Sequence, residues 1–138
     1  MEKDAKRILI AEDEDDLREM YTMALQGKGI EVLQAENGIQ ALEWLEEKYA
    51  QIDLILLDIV MPGMDGFEAL EKIKKDERFN KIPVIVSTNL DNDEDKVQAM
   101  DLGARDYFVK SQHTPSELVT EVETILAYKD QMLGNKIV

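Results

Sequence analysis

The sequence of 138 residues has no cysteine, only three prolines and an aromatic content of 6%. The lack of cysteine excludes disulfide bonds, thiolate nucleophiles and cysteine-based zinc sites. Positive charge is also scarce, because 16 Lys and Arg stand against 30 Asp and Glu, for a formal net charge of −14. Nucleic-acid binding depends on Lys and Arg that neutralise phosphates, so we expect no direct DNA binding.

Long hydrophobic runs are missing as well. No apolar segment approaches the length that spans a bilayer, and the start, MEKDAKRILIAEDED, has no apolar stretch of signal-peptide length before charged residues return. We therefore expect a soluble, cytoplasmic protein without membrane contact. The hydrophobic fraction of 44% is sufficient for one core in a single domain of this size.

Short apolar runs alternate with longer stretches of helical period along the chain. Five strands are predicted in this way, at residues 8–11, 30–33, 54–57, 83–86 and 106–109. The run Leu54–Leu57 is apolar throughout, which is typical of a strand buried on both faces of a parallel sheet. Strict alternation predicts an α/β fold, a doubly wound (βα)5 arrangement with five parallel strands and helices on both faces.

The helical stretches also predict which side chains point inward. In the fourth helix, 91–102, we expect Val97, Met100 and Leu102 to face the core, and we interpret Met20 and Met23 in the first helix as core residues. The last helix begins with a capping box, Thr114 to Glu117, with Pro115 at its first position. We expect it to extend through residues 129–138 as far as Gly134, with a frayed tail after it. Trp44 is expected to be partly buried, and His113, the one histidine, to be a solvated loop residue.

The residues that follow the strands carry the unusual chemistry. In a doubly wound sheet, ligands bind at the carboxyl ends of the strands. The acids Glu12 and Asp13 follow the first strand, Asp58 follows the third, Thr88 the fourth and Lys110 the fifth. Clustered carboxylates repel one another unless a cation offsets them, and Mg²⁺ is a common one. Lys110 and Thr88 are suited to binding phosphoryl oxygens.

Four segments together resemble the receiver domain of bacterial response regulators. The segments are ILIAEDED, LILLDIVMPGMDG, IPVIVST and GARDYFVK, in family order, and the resemblance covers about residues 6–128. It implies the flavodoxin-like, CheY-like version of the α/β fold. Residues 129–138 would be an extension of the last helix and a tail.

The resemblance also implies a role for each matching residue. Asp58 matches the phosphoacceptor, and Glu12 and Asp13 match the acidic pair that holds Mg²⁺, with Mn²⁺ as an alternative. The backbone carbonyl of Val60 would be a further metal ligand. The three remaining matches are Thr88 to the switch hydroxyl, Tyr107 to the switch aromatic, and Lys110 to the lysine that contacts the phosphoryl group.

Five positions depart from the usual family pattern. Glu12 replaces the commoner Asp, and Asn89 stands where a small residue is usual. Ser111 replaces a proline that often follows a cis bond, which leaves the direction of Lys110 open, since a cis bond before a non-proline residue costs about 2.5–4 kcal/mol. Val60 and Leu90 are apolar at positions that flank the path of the hydrolytic water in the family. We therefore predict slow loss of the phosphoryl group.

The implied function is that of a stand-alone signalling receiver rather than a turnover enzyme. Its implied partners are a sensor histidine kinase or histidine phosphotransfer protein, and a downstream protein target. Phosphorylation would change the face built from helix four, strand five and helix five. We expect a monomer, with dimerisation on phosphorylation left open.

The sequence argues against three other functions. An aspartate-nucleophile phosphatase needs an acid two positions after the nucleophile, where this chain has Val60. A flavodoxin-type electron carrier needs a Ser/Thr/Gly-rich loop after the first strand, where this chain has acids. A degenerate receiver that binds partners without phosphorylation is opposed by the intact set of Asp13, Asp58, Thr88 and Lys110. An excised piece of a longer protein stays open.

Overall fold

The computed structural model describes residues 5–137, with side chains described as far as Lys129. Five strands and five α-helices alternate along the chain. The strands are β1 (Arg7–Ala11), β2 (Glu31–Ala35), β3 (Leu54–Leu57), β4 (Val84–Thr88) and β5 (Asp106–Val109). The helices are α1 (Asp15–Gln26), α2 (Gly38–Lys48), α3 (Gly66–Lys75), α4 (Asp93–Asp101) and α5 (Pro115–Ile137), and short 3-10 turns cover Tyr49–Gln51 and Lys110–Gln112.

The strands form one parallel sheet in the order β2-β1-β3-β4-β5. This arrangement confirms the predicted α/β fold class. The chain passes from β1 outward to β2 and then returns to β3 on the other side of β1. The strand order therefore reverses between β1 and β3, and ligands bind at such a point in open α/β sheets.

Two apolar clusters lie on opposite faces of the sheet. One contains side chains from α2 and α3 with Leu9, Ile55 and Val86 of the strands. The other contains side chains from α1 and α5 with Ile8, Leu56 and Ile85. Both faces of β3 are buried, as its uniform apolar sequence predicted.

The N-terminus of each of four helices is capped by a side chain. Asn37 accepts a hydrogen bond from the backbone N–H of Gln40 at 2.8 Å, and Asp65 and Asn92 cap α3 and α4 in the same way. At α5, Thr114 Oγ1 accepts from the N–H of Glu117 at 3.1 Å, and Glu117 Oε1 accepts from the N–H of Thr114 at 2.7 Å. These reciprocal bonds confirm the predicted capping box.

The predicted inward face of α4 is wrong for Val97 and Met100 but confirmed for Leu102, which packs against the core. Val97 is 57% exposed and Met100 is 41% exposed, whereas Ala99 is fully buried and Leu102 is half-buried. The helix begins at Asp93 rather than at residue 91. Of its three apolar residues, only the small side chain of Ala99 packs closely in the core.

The predicted burial of the α1 methionines is also wrong. Met20 and Met23 are exposed, because Tyr21 and Leu25 supply the buried face of α1 instead. Trp44 is partly buried as expected, and its indole N–H donates to the carbonyl of Gln34 at 2.8 Å. His113 is exposed, with its ring centroid 4.5 Å from that of Phe108.

The boundaries of two further elements differ from the sequence predictions. β4 includes Ser87 and Thr88, which were expected to follow it. α5 continues to Ile137, beyond the expected end at Gly134, and Val138 of the predicted tail lies outside the described residues. Among residues 5–137, no helix has the length and apolar character needed to cross a membrane.

Candidate functional site

The predicted site residues meet at the carboxyl edge of the sheet. Asp58 directly follows the buried strand β3, and Glu12 directly follows β1, its neighbour in the sheet. Thr88 is the last residue of β4, and Lys110 opens the 3-10 turn after β5. Because parallel strands end at one edge, residues far apart in the sequence converge there.

Asp58 is held on both of its carboxylate oxygens. Oδ1 accepts hydrogen bonds from the backbone N–H groups of Ile59 at 2.7 Å and Val60 at 3.3 Å. Oδ2 lies 3.0 Å from Nζ of Lys110. The side chain is buried but for 9% of its surface, so its direction is fixed by these contacts.

Lys110 also contacts Glu12. Its Nζ donates to Glu12 Oε1, and both side chains are almost fully buried. Burial raises the pKa of Glu12, against the opposing effect of the Lys110 charge. For Lys110, burial acts to lower the pKa, but the charge of Asp58 and the hydrogen bond to Glu12 outweigh it and the pKa is raised. Lys110 is therefore a buried cation between two carboxylates.

Glu12, Asp13 and Asp58 form an acidic cluster. One carboxylate oxygen from each lies within 4.8 Å of the other two, and Asp13 is the exposed member. Three carboxylates against the single charge of Lys110 leave an excess of negative charge. This donor set fits a divalent metal that prefers oxygen ligands.

Thr88 and Tyr107 are connected through Leu90. The N–H of Leu90 donates to Thr88 Oγ1 at 3.3 Å, and the hydroxyl of Tyr107 donates to the carbonyl of Leu90 at 2.7 Å. Burial and the nearby charges of Asp95 and Asp91 raise the pKa of Tyr107 to about 12, so it is a hydrogen-bond donor at neutral pH. Thr88 is fully buried and Tyr107 is half-buried.

The positions that depart from the family pattern do not block the site. No peptide bond among the described residues is cis, so the Lys110–Ser111 bond is trans, and the lysine still reaches Asp58. Asn89 and Val60 are exposed, and Leu90 is half-buried. The slow-hydrolysis prediction, which rests on Val60 and Leu90, stays a prediction.

Two residues near the site were missed by the sequence analysis. At Gly66, the first residue of α3, a Cβ atom would overlap the carbonyl oxygen of Asp58 and lie 2.6 Å from Cα of Ile59. The Asp-Gly pair that opens the helix was the available signal. Arg18 donates to the carbonyl of Glu12 at 2.7 Å and to Asp15 Oδ1 at 2.6 Å, which fastens the acidic loop to α1.

The strands of the parallel sheet follow this order, and an aspartate lies at the reversal point beside two acids and a lysine. Together these features define a class of signalling phosphoacceptor. The chain belongs to the response regulator receiver domain family, whose sequence profile matches residues 8–123. Receiver domains are generally not turnover enzymes, and they bind a divalent metal at an acidic pocket of the kind formed by Glu12, Asp13 and Asp58.

One curated relative is the phosphate regulon transcriptional regulatory protein PhoB of Pseudomonas aeruginosa, which is 40% identical over 121 residues. The aligned residues make up 88% of this chain and 52% of that protein. The chain thus spans about half the length of this relative. Protein PilH of the same organism is 39% identical over 88% of this chain and 95% of its own length. A CheY-like receiver domain structure from Methanospirillum hungatei has a TM-score of 0.84 at 28% identity, covering 93% of this chain and 98% of that one.

Proposed function

We propose that Asp58 accepts a phosphoryl group from a phosphohistidine on a sensor histidine kinase or a histidine phosphotransfer protein, with Mg²⁺ bound beside it. The observation that carries this proposal is the contact of Asp58 Oδ2 with Lys110 at 3.0 Å, within a cluster of three carboxylates. In the transfer, a carboxylate oxygen of Asp58 forms a bond to phosphorus and the phosphorus–nitrogen bond of the donor breaks. The imidazole keeps the electron pair.

Each residue has a defined part in this transfer. The N–H groups of Ile59 and Val60 hold the Asp58 carboxylate in one orientation, which reduces the entropy cost of in-line attack. Lys110 places a positive charge where the phosphoryl oxygens gather negative charge. Glu12, Asp13, Asp58 and the carbonyl of Val60 would hold Mg²⁺, or Mn²⁺ in its place, and the bound metal neutralises part of the phosphoryl charge.

The signal would pass from the site to α4 through Leu90. When the Thr88 hydroxyl turns to a phosphoryl oxygen, its oxygen no longer accepts from the N–H of Leu90. The carbonyl of Leu90 then shifts, and the hydroxyl of Tyr107 loses its partner. This shifts the population of conformers on the surface formed by α4, β5 and α5, which we call the output face.

The acyl phosphate is expected to be lost slowly. Val60 and Leu90 lack polar side-chain atoms that would orient an attacking water. The chain then acts as a phosphoacceptor that catalyses its own phosphorylation and slow dephosphorylation, and not as a turnover enzyme. A half-life as short as that of the fastest chemotaxis regulators would contradict this part of the proposal.

The test is intact mass spectrometry after incubation with Mg²⁺ and acetyl phosphate. We expect one added phosphoryl group, which is abolished by a chelator and by Asp58→Asn. Asp101→Asn, which changes an exposed carboxylate at the end of α4, is the matched control and should accept the group normally. If no adduct forms and beryllofluoride does not bind, the proposal fails and the chain is a phosphorylation-independent binding domain.

A further inference from the structure

A small cavity lies next to the phosphoacceptor site, between the sheet and α1. Its wall is formed by apolar residues of β1 and β3 and by four residues with polar groups, Glu12, Asp58, Ser87 and Tyr21. The volume open to the centre of a water molecule is about 10 Å³. A buried water needs on the order of 10–15 Å³, so the cavity has the size of a single water molecule.

Ser87 brings a buried hydroxyl to this cavity. It lies two residues after Ile85 on β4, so both side chains are on the face of the sheet that α1 and α5 cover. Ser87 is 5% exposed, and its hydroxyl forms no hydrogen bond with any residue that the structure describes. Buried polar groups without a partner are rare in native proteins because they lower stability. A water in the cavity would supply the partner.

Tyr21 contributes a second hydroxyl, from α1. The residue is 4% exposed, and it lines the same cavity. Burial raises the pKa of its hydroxyl, the charge of Lys110 opposes that effect, and the charges of Glu12 and Asp58 add to it. The hydroxyl therefore lies within the field of the charged groups of the site, and it remains protonated as a hydrogen-bond donor at neutral pH.

The hydrogen-bonding groups around the cavity match those of one water. An ionised carboxylate accepts hydrogen bonds but donates none, whereas each hydroxyl has one hydrogen to donate. A water bound by four partners donates two hydrogen bonds and accepts two. It can therefore donate to Glu12 and Asp58 while it accepts from Ser87 and Tyr21. Such a water links two carboxylates that cannot hydrogen-bond to each other.

We propose that one water molecule binds in this cavity, and that Ser87 and Tyr21 act through it as positioning residues for Glu12 and Asp58. The water restricts both carboxylates to one orientation, so less freedom is lost when a divalent cation binds to them. This inference rests on the proposed function, because Glu12 and Asp58 are two of the proposed metal ligands. It assigns a part to two residues that touch neither the metal nor the phosphoryl group.

Thr22 of α1 provides a matched control. It is 1% exposed and its hydroxyl also lacks a hydrogen-bond partner among the described residues, but it does not line the cavity. Ser87→Ala and Thr22→Val each remove one buried hydroxyl. Removal of a hydroxyl without a partner stabilises a fold, whereas removal of one that is bound to a buried water destabilises it.

Urea unfolding and crystallography of the full chain test whether the water is bound. We expect a lower urea midpoint for Ser87→Ala and an unchanged or higher one for Thr22→Val. A high-resolution crystal structure of the wild type should show one water within hydrogen-bond distance of Ser87 Oγ, and Ser87→Val, whose side chain fills the cavity, should lack it. A higher midpoint for Ser87→Ala would overturn the inference, as would a wild-type crystal structure without that water.

Metal affinity is the readout that a purely structural role would not change. Mn²⁺ alone is titrated into the full chain, and the free ion is measured by electron paramagnetic resonance. We expect Ser87→Ala to bind Mn²⁺ about tenfold more weakly, and Thr22→Val to bind it as the wild type does. Tyr21→Phe should also weaken binding, and its combination with Ser87→Ala should lose less than the sum, because both hydroxyls hold one water. Equal affinities of wild type and Ser87→Ala, or additive losses, would overturn the inference.

The two proposals can fail separately. If acetyl phosphate labels Asp58 and the wild type binds Mn²⁺, but Ser87→Ala binds it equally well, the positioning inference alone is wrong. If the water is present but the wild type neither binds Mn²⁺ nor accepts a phosphoryl group, the proposed function is wrong. The water is then a structural one, which overturns the positioning role as well. Intact mass and metal titration on the same samples distinguish these results.

Discussion

Helices α3 and α4 are similar in length and both follow strands at the functional edge, but they are anchored very differently. α3 buries Ala69, Leu70 and Ile73, and its first residue, Gly66, packs against the backbone of the phosphoacceptor. α4 buries Ala99 alone. One side of the site is therefore held by a well-buried helix, which keeps Asp58 in position, while the helix on the other side has little packing to lose. Three sets of changes test that contrast.

The largest difference is expected between Leu70→Ala in α3 and Val97→Ala in α4. Leu70 is fully buried, so its truncation should lower the free energy of unfolding by about 2–5 kcal/mol. Val97→Ala should change it by less than about 0.5 kcal/mol, since surface changes of this kind are nearly neutral. Urea unfolding at constant temperature measures both. A large loss at Val97 would show that α4 is anchored as firmly as α3.

Gly66→Ala tests the rigid side directly. The new methyl group has no room beside the Asp58 carbonyl, so the loop must shift, at a cost of about 1–3 kcal/mol, and the yield of phosphoryl adduct should drop. Gly27→Ala is the control, because its nearest neighbours would lie 3.5 Å from the new atom. Normal labelling of Gly66→Ala by acetyl phosphate would contradict the close packing that we describe.

The N-caps of the two helices allow a matched pair of smaller changes. Asp65 caps α3 and Asn92 caps α4, each through one bond of 2.9 Å. Asp65→Ala should lower global stability by about 1 kcal/mol. We expect Asn92→Ala to act mainly by local fraying, with faster amide hydrogen exchange in α4 and little change in the urea midpoint. Equal global losses would mean that α4 unfolds only with the whole domain.

The smallest effect concerns pH. The pKa of Glu121 is raised from 4.5 to about 7 by the hydrogen bond with Asp106 and by burial. The folded state therefore holds a proton that the unfolded state has released, so this pair contributes stability at low pH and loses it as pH rises from about 4.5 through 7. The stability of wild type relative to Glu121→Gln should fall between pH 5 and 8 in urea titrations. A flat difference would mean that the carboxylates do not share a proton.

The sequence predicted the sheet and most of the site because both depend on short local signals. Asp58 follows four apolar residues, and parallel strands bring their carboxyl ends together whatever the length of the helices between them. The inward positions predicted for Val97 and Met100 were wrong because both fit a helical period, whereas the core packs against the smaller Ala99 and against Leu102. The trans Lys110–Ser111 bond follows from Ser111 itself, since a cis bond before a non-proline residue is costly, but the contact of Lys110 with Asp58 and Glu12 joins residues too far apart in the sequence for any local signal to record.

The bond between Trp44 and the edge strand β2 has a consequence for self-association. Ala35 turns its carbonyl toward β1, where the N–H of Glu12 donates to it, so the carbonyl of the preceding residue, Gln34, points away from the sheet. An unpaired carbonyl on an edge strand is a template on which a foreign strand can grow. The indole N–H of Trp44 donates a hydrogen bond to that carbonyl, and Nε of Arg18 donates one to Oε1 of the Gln34 side chain. At least one outward acceptor of β2 is thereby already satisfied within the chain and is not available to a foreign strand.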